Sequence, residues 1–206
     1  MGWVLVILAF FFFLYNLLYQ STTKSNKSAG NVGERIVSNI LSNLDGRLLD
    51  NVLLPIGNSV TQIDHIFITS HTVFVIETKH YGGTVRGDNE RYWSVTYSNG
   101  SVYSFYNPAK QNKTHVDAVI GCLRGKNVAV ESVVVFSKSG CDLILSCDEA
   151  KVMNVHYFET FMLEQSRLKK KTIDGEGVYN ILKSRDLSNN REALAMHKRI
   201  VEKHSR

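Results

Sequence analysis

The chain has 206 residues, 44% of them hydrophobic and 21% charged, with a formal net charge of +5. That length and balance exclude a mostly disordered protein and fit one α/β domain with a full core plus appendages. Cys122, Cys141 and Cys147 are an odd number in a long chain, which suits a reduced compartment and buried thiols better than a disulfide framework. Cys141, Cys147 and His156 lack both a zinc spacing and a fourth ligand.

Residues 2–19, GWVLVILAFFFFLYNLLY, carry no charge. At about 1.5 Å per residue they just span a bilayer core of roughly 30 Å, so residues 1–20 read as a single-pass anchor. A cleavable signal peptide wants a basic start and small residues at its end, and neither is present. Lys24, Lys27 and Arg35 all follow the run, which places the rest of the chain in the cytoplasm by the positive-inside bias. Residues 21–32, polar and Ser/Thr/Lys-rich, read as a tether.

Ile36, Val37, Ile40, Leu41 and Leu44 recur at helical steps, predicting an amphipathic helix that ends near Asp45-Gly46. A strand over residues 47–54 should stop at Pro55, before a turn at Ile56 to Ser59. Gln62 to Lys79 reads as a hairpin turning at Thr69 to Thr72, and Thr84 to Tyr106 as a second one turning at Asn99-Gly100. Asn107-Pro108 caps and opens a helix that stops at Gly125. Residues 129–136 form a continuous apolar run, as in a strand buried on both faces. A short strand at 152–155 and a helix over 158–168 follow. The order predicts one mixed β-sheet flanked by helices. The domain is expected over 33–165, with a basic helical tail over 166–206.

In the first hairpin, alternation puts Val73, Val75, Glu77 and Lys79 on one face. A turn centred near Ser70-His71 brings Asp64 opposite Glu77. Two carboxylates so close stay ionised only with a cation between them, and a hard ion such as Mg²⁺ wants such oxygens, with the Thr78 carbonyl a further ligand. Lys79 can then orient a water and stabilise charge developing on a phosphate. The same three residues also fit a solvent-facing salt-bridge cluster on an edge strand.

An Asp followed by Glu-x-Lys on consecutive strands resembles the PD-(D/E)xK phosphodiesterase superfamily. More narrowly, Gly33-Glu34, Gln62-Ile63-Asp64-His65, Glu77-Thr78-Lys79 and Asn107-Pro108-x-x-Gln111 resemble, in that order, the nuclease-related domain called NERD. The resemblance implies a restriction-endonuclease-like fold in which Asp64 and Glu77 ligate Mg²⁺, with Mn²⁺ as a substitute, and Lys79 serves the attacking water. Glu34 would add a ligand or water holder, and Gln111 would complete the catalytic set. Glu34 also fits a plain first-turn carboxylate, and Gln111 a surface residue. His115, where some relatives carry tyrosine, is left without a role. His65 and His80 should flank the site, His71 should be solvated in its turn, and Trp93 should pack in the core.

From Gln165 onward there are eleven Lys and Arg against five Asp and Glu, so the positive charge is local. Lys169, Lys170 and Lys171 are candidates for contact with nucleic-acid phosphates, or with anionic lipid. The expectation is a membrane-anchored, Mg²⁺-dependent nuclease acting on DNA, with RNA as a second substrate. The alternative is a non-catalytic module that keeps the fold as a membrane-tethered docking platform for nucleic acid or protein.

Overall fold

The computed structural model describes residues 30–168 and 170–204. The apolar run at 2–19, most of the tether and Lys169 lie outside the described residues. Among those described, no helix is long and apolar enough to cross a membrane.

The order begins with helix α1, described over residues 30–42. Strands β1 (Arg47–Ile56), β2 (Ser59–Ile68), β3 (Thr72–Lys79), β4 (Gly83–Gly87), β5 (Tyr92–Thr96) and β6 (Val102–Tyr106) follow. Helix α2 (Pro108–Cys122) leads to β7 (Ala129–Phe136), β8 (Cys141–Leu145) and β9 (Lys151–Asn154). Helices α3 (Val155–Arg167), α4 (Gly175–Arg185) and α5 (Arg191–His204) close the chain.

The strands form two mixed sheets, which corrects the expectation of one. The larger sheet has the order β1-β2-β3-β7-β9, and the smaller β6-β5-β4-β8. The second sheet exists because β4, next to the expected hairpin of β5 and β6, pairs in parallel with β8, more than fifty residues later in the chain. A partner so distant leaves no local pattern. Pro55 does not end β1: it pairs opposite Val60 within the strand. β1 lies at the sheet edge, where one side of the backbone needs no ladder donor.

Alternation along β3 divides the core. Val73 and Val75 face α2 with Ala118, Val119 and Leu123, while Phe74 and Ile76 face Val37 and Leu41 of α1 and Phe158 and Met162 of α3. The smaller sheet covers Val134 and Phe136 of β7 with Val85, Trp93, Val95 and Phe105. Trp93 stacks on Phe136 at 6.4 Å and donates its indole N–H to the Asp88 carbonyl, so it is a core aromatic as expected. Val178 and Leu182 of α4 enter the α2-facing core, and Ala193 of α5 packs on Leu53 and Val60.

Alternation slips once, and the slip sits beside Asp64. Leu49 and Val52 on β1, and Ile63 and Ile66 on β2, enter the same core although each pair is three residues apart. Between them Asn51 takes a left-handed φ of 53°, and the ladder passes from Asp50↔His65 to Val52↔Ile63 without an Asn51–Asp64 pair. Asn tolerates that backbone region better than most residues. The kink frees Asp64 from the regular ladder.

Candidate active site

The β2–β3 ladder runs from Ile68↔Val73 to His65↔Ile76, so Asp64 falls opposite Glu77 one step on. There the Asp64 carboxylate takes over a backbone role: its Oδ2 accepts the Thr78 N–H at 2.8 Å. Two residues beyond Glu77 on the same face stands Lys79, whose ammonium donates to Glu77 Oε1 at 2.6 Å and to Gln111 Oε1 at 3.1 Å. Gln111 reaches it from the first turns of α2, which begin where expected: Asn107 accepts from the Ala109 and Lys110 N–H groups and Pro108 follows.

The second oxygen of Glu77 is held as well. His115 Nε2 lies 3.2 Å from Glu77 Oε2, and its Nδ1 lies 2.8 Å from the Thr61 hydroxyl. Both contacts are met by the tautomer in which Nε2–H donates to the carboxylate and Nδ1 accepts from Thr61. His115, without a role on sequence grounds, is therefore buried one helical turn beyond Gln111, and it fixes the carboxylate that Lys79 pairs with. The i, i+4 spacing of Gln111 and His115 is the sequence signal that they share a helix face.

Glu34 approaches from α1. A Cβ on Gly33 would lie 2.5 Å from Ser137 Oγ and 3.0 Å from the His80 Cβ, so only glycine lets the helix come this close to the ends of β3 and β7. His80 and Ser137 are themselves joined at 2.9 Å. The result is a cleft of about 690 Å³ whose lining includes Glu34, Asp64, Glu77 and Lys79 together with Tyr81, Tyr97, Tyr103 and Lys138.

The electrostatics are uneven. Burial, repulsion from Glu77 and a further push from Glu34 hold the Asp64 carboxyl well above its usual range, against the Thr78 N–H and Lys79. Burial also opposes ionisation of Glu77, but Lys79 and His115 outweigh it and hold that carboxyl at about 2. Lys79 loses to burial and gains more from Glu77, so its ammonium is held above the ordinary lysine range. Burial and the neighbouring phenols push the Tyr81 hydroxyl up to about 12, so it remains a donor.

Asp64, with one oxygen on Thr78, and Glu77 present hard oxygens next to an excess of negative charge, which fits a hard divalent cation. Among the described residues no group of three or more His, Cys, Asp or Glu stands close enough to enclose a metal unaided. Asp64 and Glu77 would hold such an ion with waters completing its shell.

Other expected positions fall elsewhere. His65 is buried with Nδ1 2.7 Å from Asp50, which also accepts from Ser38 of α1 at 2.6 Å. His71 is not solvated: it is buried, with Nδ1 on the Thr72 hydroxyl and Nε2 on the Gln165 carbonyl, because the last turn of α3 and the segment after it cover its turn. That segment is tied to Ser70, whose hydroxyl donates to the Lys170 carbonyl and whose own carbonyl accepts the Thr172 N–H. Lys170 and Lys171 thus sit at the Thr72 end of β3, roughly 23 Å from Lys79 at about 3.3 Å per residue, and are not brought to the cleft. Sequence reasoning also missed Asn112, fully buried, whose amide donates to the carbonyls of Val75 and Val133 and locks α2 onto β3 and β7.

A profile of the nuclease-related domain matches residues 29–137, just over half of the chain. Over 150 residues the sequence is 33% identical to an uncharacterized protein of Bacillus anthracis, covering 70% of this chain and 66% of that protein's length. No solved structure matches. The four sequence blocks, their convergence on one cleft and the profile match agree: the chain belongs to the NERD, or nuclease-related domain, family.

Proposed function

We propose that the chain is a membrane-anchored, divalent-metal-dependent nuclease that hydrolyses phosphodiester bonds of DNA. The observation that carries this reading is the meeting of Asp64, Glu77 and Lys79 at one strand end in an open cleft, with Gln111 bonded to Lys79. Asp64 and Glu77 would hold Mg²⁺, or Mn²⁺ in its place. Bound there, such an ion neutralises phosphate charge and lowers the pKa of a water. Lys79 acts as an ammonium, not as a base: it aims the water and stabilises negative charge growing on the phosphate. Gln111 fixes the ammonium, His115 and Thr61 fix Glu77, and Glu34 holds water on the α1 side. The water oxygen bonds to phosphorus as the opposite P–O ester bond breaks, with inversion; a proton of that water passes to solvent and the leaving oxygen takes one from solvent.

Residues 2–19 would anchor this domain at the cytoplasmic face. Lys170 and Lys171, far from the cleft, and Lys169 with them in sequence, would touch phosphates of a long substrate or anionic lipid. Protease protection in sealed vesicles tests the topology: Lys169 to Lys171 should be cleaved only after the cytoplasmic face is exposed.

The test of the function is cleavage of plasmid DNA and labelled RNA in Mg²⁺ by wild type, Asp64→Asn and Glu77→Gln. Cleavage lost in both variants, with the fold intact, supports the reading. Equal rates in all three remove it, and a wild type that neither binds metal nor cuts indicates a docking module.

A further inference from the structure

Part of the cleft lining is aromatic. Tyr81 lies in the connection between β3 and β4, Tyr97 follows β5, and Tyr103 stands on β6 two residues from Phe105, on the same face. The Tyr81 ring is 4.6 Å from Phe105 and 5.9 Å from Tyr103, while Tyr103 and Phe105 lie nearly parallel, 11° apart at 6.4 Å. Phe105 is buried in the core of the smaller sheet, whereas Tyr103 is 48% exposed. The rings form a bank anchored at its inner end and open at its outer end.

Charge on the lining gives little grip on a phosphate backbone. Glu34, Asp64 and Glu77 stand against the ammonium groups of Lys79 and Lys138, and Lys79 is already paired. Duplex binding rests chiefly on many cationic contacts to phosphates, and among the described residues the lining offers only Lys79 and Lys138. The exposed Tyr103 and the half-buried Tyr81 beside it offer affinity of another kind, through stacking, but only to bases that are out of a duplex stack.

Resting on the nuclease reading, we propose that Tyr81 and Tyr103 form a stacking wall that selects unpaired nucleotides, so that the cleft takes single-stranded nucleic acid or a frayed end and disfavours intact duplex. Lys138, beside Gly82, lines the same cleft and would meet the phosphate of the stacked nucleotide.

The experiment measures binding apart from cleavage. Anisotropy of the full chain without Mg²⁺ is followed with a fluorescent oligothymidylate, an RNA of the same length and a blunt DNA duplex, at one salt concentration. Single strands should bind on the order of tenfold tighter than duplex, and Tyr103→Leu and Tyr81→Leu should each weaken them on the order of tenfold, the usual loss for one base stack. Tyr103→Phe, which keeps the ring, should stay close to wild type, and exposed Tyr103 makes unfolding an inadequate explanation. Duplex bound as tightly as single strands, or Leu variants matching wild type, overturns the wall. Adding Mg²⁺ to the same mixtures reads the nuclease separately. Cutting of all probes without regard to the tyrosines keeps the nuclease and rejects the wall; tyrosine-dependent binding of single strands without cutting keeps the wall and rejects the nuclease.

Discussion

His115 Nε2 stands 3.2 Å from Glu77 Oε2 while Lys79 holds the other oxygen of the same carboxylate. His115→Ala leaves Glu77 and the Thr61 hydroxyl short of a buried partner, at a cost of about 1–3 kcal/mol. Because His115 helps depress Glu77 to about 2, the Glu77 contribution is fully present above the unfolded carboxyl range and fades as pH falls toward that value. Urea melts at a series of pH values should therefore show the gap between wild type and His115→Ala widest near neutrality and narrowing in acid. A gap that widens in acid contradicts the arrangement.

Asp64 should behave with the opposite sign. Its carboxyl is raised by burial, then by Glu77, so its ionised form is disfavoured in the fold and stability falls as pH climbs from about 3.9, the unfolded value, through the raised native one. Asp64→Asn keeps an acceptor for the Thr78 N–H and removes the charge. Without metal it should stabilise the fold at neutral pH by about 0.5–2 kcal/mol while abolishing cleavage, the pattern of a site strained for function. Melts with and without Mg²⁺ should show the ion stabilising wild type alone.

Gly33→Ala tests how α1 reaches the cleft. The new methyl would meet Ser137 Oγ and the His80 Cβ, forcing α1 and Glu34 outward. Overpacking of this kind costs about 1–3 kcal/mol. Cleavage should fall further than stability alone explains, and Ser137→Gly, which removes the nearest atom, should restore part of it. Unchanged cleavage in Gly33→Ala would show that Glu34 takes no part.

Where the interactions are local, the sequence carried them. The β2–β3 register, the Asn107-Pro108 helix start and the nearness of Asp64, Glu77 and Lys79 follow from turn chemistry and alternation over a few residues. Helical spacing likewise contained the Gln111–His115 pair, but not the strand residue, Thr61, that gives His115 its second bond. The β4–β8 pairing, the covering of His71 by the end of α3 and the segment after it, and the tyrosine wall join parts of the chain whose contact no local pattern encodes. The slip at Asn51 was hidden for a further reason. The hydrophobic pattern on each side is regular, and only the left-handed Asn51 shows that the two halves are out of phase.

The central claim is that Lys79 serves chemistry rather than packing. A lysine that only pairs with Glu77 would tolerate Arg, and a lysine that aims water would not, since a planar fork cannot place one compact ammonium at the same point. The direct measurement pairs Mg²⁺ or Mn²⁺ titration calorimetry with single-turnover cleavage of single-stranded DNA for wild type, Lys79→Ala and Lys79→Arg. The account predicts metal binding in all three, with cleavage reduced on the order of 10²-fold or more in Lys79→Ala and poorly rescued in Lys79→Arg. Metal binding and cleavage at the wild-type rate in Lys79→Ala would contradict it.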